Sequence, residues 1–180
     1  FAPNNFYNPD AVPRKKRELR LSDPEYYPIT TDDGVQLLLT RYKGGSKGPL
    51  LMVHGFTGNR LTFAIDTIDT NMAEFFFAHG YDIWLFDYRL SNLMESSKNQ
   101  HTVDQIAKYD YPAAIGKIKA VTGVTQIDIM AHCVGSISLF MAMMTGLQGV
   151  RSIVSAQIAS DFYPATQGKW KSGLHVPQLL

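Results

Sequence analysis

The sequence predicts an α/β fold, a mostly parallel sheet with helices on both faces. A continuous apolar run at 50–53 has the pattern of a strand buried on both sides, and largely apolar runs at 81–86 and 127–131, with a fourth segment at 150–154, read as further strands. Segments of helical length, each with a start and a stop residue, lie between several of them. Strands alternating with such helices pair in parallel through right-handed crossovers.

The elements follow in order. Residues 1–27 carry Pro3, Pro9, Pro13 and Pro24 with no period of either kind, and read as an extended arm or linker. Arg14, Lys15, Lys16, Arg17 and Arg20 against Asp10 and Glu18 give its first twenty residues a charge of +3, read as a solvated leader. Residues 28–180 read as the N-terminal portion of one larger domain. Asp33-Gly34, set between 29–31 and 35–40, is a hairpin signal. A loop from Lys43 to Pro49 feeds the run 50–53, which ends at His54-Gly55. A helix is expected over 71–79, with Glu74 placed for a capping box and Gly80 as its stop. Another starts from Asp110 as cap, has Pro112 in its first turn and ends near Val121 before Gly123. A third covers 134–145, stopped by Gly146. Phe75, Phe76, Phe77, Met141, Met143 and Met144 are expected in the core.

Composition narrows the function classes. With 45% hydrophobic residues among 180, the chain can build one core, and it is not a disordered polymer. Net charge is +1, which gives no basic stripe for a nucleic-acid partner. A single cysteine, Cys133, rules out an intrachain disulfide and a Cys-based zinc site, and no histidine pair has ligand spacing. The glycines at 44–48 lack a phosphate-loop lysine and no Gly-x-Gly-x-x-Gly occurs, so no cofactor is expected on this chain. No apolar run approaches the length of a transmembrane segment, and no signal peptide is visible, which favours a cytoplasmic location. The chain starts without Met and reads as a piece of something longer.

Two strand ends are chemically pointed. At the first, Ala131-His132-Cys133-Val134-Gly135 has the layout small-x-nucleophile-x-small between a strand and a helix. Small flanking residues let backbone approach a tight turn, and the apex is held strained and exposed at a helix N-terminus, which favours a thiolate. Cys133 is therefore the candidate nucleophile, with Ala131, His132 and Gly135 supporting it. At the second, His54-Gly55-Phe56 follows an earlier strand, with Phe56 and Val134 as the candidate oxyanion-hole N–H donors. His54 and Gly55 support that loop. His54, His79, His101, His132 and His175 each read as structural, and Asp87 with Arg89 as an ion pair pinning a loop.

These motifs in this order resemble the α/β-hydrolase superfamily. The runs from Gly80 to Leu85 and from Ala107 to Ala113 are similar to its acid-lipase-like branch. The run from Ala131 to Ser136, with that from Gly146 to Ser152, looks like the hydrolase-like module appended to bacterial cholesterol-oxidase-like flavoproteins of the GMC oxidoreductase class. The resemblance implies an α/β-hydrolase fold, here truncated after about the sixth strand. It also implies an esterase or lipase-like activity on an apolar ester. FAD would belong only to a fused or partner oxidoreductase domain. Cys stands where the family usually has Ser, so acylation would run through a thioester. The family's acid and histidine follow strands seven and eight, so both are expected beyond residue 180, with this piece inactive alone and its open sheet edge inviting edge-to-edge self-association. The alternative is a hydrolase-shaped module that does not catalyse and docks a partner domain or a lipid.

Overall fold

A computed structural model describes residues 12–158 of the chain. Its sheet has six strands: β1 (Pro24–Thr30), β2 (Gln36–Tyr42), β3 (Pro49–Val53), β4 (Asp82–Asp87), β5 (Ile127–His132) and β6 (Val150–Ala156). Their spatial order is β1-β2-β4-β3-β5-β6. β2 is antiparallel to β1 and to β4, while β3, β4, β5 and β6 run parallel. β1 takes in residues 24–27, which the prolines had assigned to the arm; an edge strand tolerates Pro24 and Pro28 because its outer N–H groups have no ladder partner to lose. The hairpin turns at Gly34, whose φ of 84° is the left-handed conformation that Asp-Gly foretold.

Helices cover both faces: α1 (Met72–Ala78) lies on one, α3 (Tyr111–Thr122) and α4 (Val134–Met144) on the other. Alternation along β3 divides the core accordingly. Leu51 and Val53 join Trp84, Phe86, Ile129, Ile115, Ile118 and Leu139. Leu50 and Met52 join Ile83, Leu85, Met130 and Ala73 on the α1 side, with Phe76 and Phe77 packed against them. Phe75 and Met144, expected inside, are 49% and 87% exposed because each falls on the outward side of its helix.

Two local readings change. Asp110 caps no helix. The helix begins earlier, where Thr102 and Gln105 form a capping box around α2 (Val103–Gln105), and a π-helical stretch at Ile106–Asp110 joins α2 to α3. Asp110 is held in that stretch by Arg89. Asp87 and Arg89 do not pair with each other: Asp87 accepts from Arg60 at 2.6 Å, and Arg89 from the same loop reaches Asp110 and Asp33.

The described part of the arm is no solvated leader either. Leu19 and Leu21 pack on the α1-side core. Arg17 donates to both Glu74 oxygens at 2.6 and 2.5 Å, and the Arg20 backbone N–H donates to Glu74 at 2.7 Å. Glu74 is itself the buried partner in the capping box with Asn71. The Arg17 guanidinium beside it lowers its carboxyl from 4.5 to about 2. A depressed carboxylate contributes stability above its unfolded pKa and loses it as the pH falls toward its folded one. Glu74→Gln is thus expected to cost about 1–3 kcal/mol near neutral pH. The difference from wild type should close between pH 4.5 and about 2, as read by urea unfolding at both ends of that window.

Candidate functional site

Register brings the two strand ends together. β3 pairs with β5 with Val53 opposite Ala131, so the residues that leave them, His54-Gly55 and His132-Cys133, emerge side by side at the carboxyl edge of the sheet. In open parallel sheets ligands bind beyond that edge.

Cys133 stands between β5 and α4 with φ 53° and ψ −119°. Such backbone is costly for a residue with a Cβ, on the order of 1–3 kcal/mol, and is kept only where surroundings enforce it. They do so here. The Cys133 N–H donates to Ala156 O of β6 at 2.9 Å, and the Ser136 hydroxyl donates to the same carbonyl at 3.1 Å. A Cβ on Gly135 would lie 2.6 Å from His54 O, and one on Gly55 would lie 2.9 Å from Cys133 Cβ. Both positions therefore need glycine, and through them the two loops are in direct contact. Ala131 is fully buried, and Cys133 is half-buried.

The donors expected for an oxyanion are unengaged. Among the described residues neither Phe56 N–H nor Val134 N–H donates to a protein acceptor. Val134 opens α4, where the first turn has no intrahelical acceptor, and Cys133 provides no side-chain cap. Phe56 is 64% exposed.

His54 is fully buried, and its ring stacks on Tyr88 at a centroid distance of 4.4 Å. Its Nδ1 lies 2.7 Å from Gly55 O. A carbonyl only accepts, so Nδ1 carries the proton. Burial pushes the imidazole below its ordinary value and keeps it neutral. His132 is half-buried, with Nδ1 2.8 Å from where a Cβ on Gly55 would lie. His79 reaches Phe75 O at 2.7 Å, and His101 reaches Ser96 O at 2.9 Å. None of these four histidines hydrogen-bonds Cys133 among the described residues. His175 lies outside them.

Two residues that the sequence left without a role stand at the site. The Tyr88 hydroxyl donates to His54 O and Gly55 O, 3.2 Å from each. The Tyr111 hydroxyl donates to Gly135 O at 2.6 Å. Their signal was present in part: a tyrosine directly after a buried strand or inside a buried helix must find a partner for its hydroxyl. A groove of about 720 Å³ between α3 and α4, lined by Ile115, Met141 and Leu147, includes none of the site residues above.

The profile of the alpha/beta hydrolase fold matches residues 48–174, which takes in both loops and most of the sheet. The chain belongs to the alpha/beta hydrolase fold family. Among curated relatives, this hydrolase-fold chain is 28% identical over 131 residues to Lipase 1 of Drosophila melanogaster, covering 66% of this chain and 29% of that protein. It is 30% identical over 139 residues to human gastric triacylglycerol lipase, covering 67% of this chain and 35% of the lipase. The chain thus spans about a third of the length of these relatives. An esterase of Pyrococcus furiosus superposes with a TM-score of 0.64 at 21% identity, over 87% of this chain and 63% of that one; this likeness speaks for the fold.

Proposed function

We propose that the full-length protein is an ester hydrolase of the acid-lipase-like kind, with Cys133 as its nucleophile. The observation that carries the reading is the elbow: a cysteine in enforced positive-φ backbone at the head of a helix, pressed against the His54-Gly55-Phe56 loop. The lipases among its relatives support an ester with an apolar acyl or alcohol part as substrate.

In this mechanism the Cys133 thiol passes its proton to a histidine supplied by sequence beyond residue 180, and the sulfur attacks the ester carbonyl carbon while the carbonyl π pair moves onto oxygen. The resulting oxyanion is bound by the Phe56 and Val134 N–H groups. Its collapse forms a thioester and expels the alcohol, which takes the proton from that histidine. Water, deprotonated by the same histidine, then attacks the thioester, releasing the acid and restoring the sulfur. An acid from the same later segment orients the histidine. A fused or partner flavoprotein domain belongs to this proposal only through the likeness of the 131–136 and 146–152 motifs.

The test uses the full-length protein and p-nitrophenyl butyrate. Iodoacetamide is expected to abolish turnover in step with alkylation of Cys133 under native conditions, and excess substrate to slow both. Turnover that survives complete alkylation of Cys133, or labelling that occurs only after unfolding, overturns the reading.

A further inference from the structure

We infer that Tyr88 is a positioning residue that aims the Phe56 N–H into the site by fixing the Gly55–Phe56 peptide plane, an inference that rests on Phe56 serving as an oxyanion donor. A peptide unit is planar and trans, so the direction of its carbonyl sets the direction of its N–H. The carbonyl that shares a plane with the Phe56 N–H is that of Gly55. It accepts from His54 Nδ1 at 2.7 Å, from the Tyr88 hydroxyl at 3.2 Å and from Gly58 N at 3.3 Å. Three donors at the carbonyl end of this planar trans unit leave its N–H directed the opposite way, and Phe56 N has no acceptor among the described residues. The second donor needs no such device. Cys133 O, in the plane of the Val134 N–H, already accepts from Ile137 N at 3.1 Å as the first bond of α4. Helix geometry aims one donor; hydrogen bonds to Gly55 O, two of them from side chains, aim the other.

Glycine makes the help necessary. Gly55 is there because a Cβ would strike Cys133 and His132, but without a Cβ its peptide rotates more freely than one that follows a residue with a side chain. Of the groups that restrain it, Tyr88 comes from a different part of the chain and is itself pinned on both sides. Asp87 is tied to Arg60 and Ser91, and Arg89 to Asp110 and Asp33. The Tyr88 ring is fully buried against His54. Burial above all pushes its phenol well above the ordinary range, so it stays a donor. Hydrogen bonds to a carbonyl also polarise its peptide and strengthen the N–H on the far side.

The experiment is Tyr88→Phe in the full-length protein, which deletes the hydroxyl and keeps the stacked ring. The expected result is a fall in kcat of about 10- to 100-fold, the penalty of a slightly misdirected catalytic group. KM should stay within about twofold, because the donor acts on the transition state. A crystal structure of the variant should show the Gly55 carbonyl turned from its wild-type direction. Wild-type kcat in the variant, or kcat and KM changed together with the peptide unmoved, overturns the inference. If the wild-type protein hydrolyses no ester, the hydrolase reading fails, and the peptide direction in the variant still decides the role of Tyr88.

Discussion

Cys133→Ala is expected to lower kcat/KM of the full-length protein for p-nitrophenyl butyrate by about 10⁵-fold or more, the scale on which hydrolases lose rate when their nucleophile is removed. Nothing else at the elbow can take over. The neighbouring His132 is directed at Gly55, and Ser136 is turned to Ala156 O at 3.1 Å. The fold should hardly notice the change. Cys133 is only half-buried, and the interactions that enforce its backbone come from its own N–H and from the two glycines rather than from the sulfur. Wild-type and variant urea curves that coincide, together with the lost rate, separate chemistry from stability. A variant that retains even a hundredth of the wild-type rate would assign the nucleophile elsewhere.

Arg89→Met is expected to be the most damaging change to the fold itself, costing about 3–5 kcal/mol as it strands buried charge. Arg89 and Asp110 are both 0% exposed at their side chains. Arg89 donates to Asp110 at 2.6 and 2.9 Å and to Asp33 at 2.8 and 3.0 Å. It therefore joins the end of β4, the π-helical stretch and the hairpin between β1 and β2. Burial raises the Asp110 carboxyl above its ordinary value even with the guanidinium pulling the other way. Without the guanidinium, only the backbone N–H of residue 89, 3.1 Å from Asp110, still opposes burial. The folded protein then holds a proton that the unfolded chain has released, so stability falls as the pH rises above about 4 and the deficit narrows in acid. Urea midpoints across pH 4 to 8 measure this, and a deficit that is flat across the range would show that Asp110 carries no stranded charge. Adding Asp110→Asn should return part of the loss, the coupling expected of residues in one network.

Much of this was written in the local sequence. The apolar runs of β3, β4 and β5 are fully enclosed and so carry no polar alternation, which is why they could be read as parallel strands. Asn71 and Glu74 mark the start of α1 through atoms only three residues apart, and Gly123 and Gly146 mark ends through their own backbone, with φ of 74° and 94°. The elbow and the His54-Gly55 loop were legible for the same reason: each is a short segment whose glycine or small-residue requirement is visible in its own letters.

What only the tertiary structure decided are the partners of charges and hydroxyls. Asp87 and Arg89 are only two residues apart, yet each found its counter-ion on a different element. Asp110 and the arm's Arg17 likewise took partners 21 and 57 residues away. Tyr88 lies 33 residues from the carbonyl it holds, a distance over which no pattern in the sequence signals contact. Hydrophobic periodicity depends on burial, which a residue shares with its local neighbours. A hydrogen bond depends on which atoms the sheet order and register bring within three ångströms, and that order, β1-β2-β4-β3-β5-β6, exists only once the chain has folded.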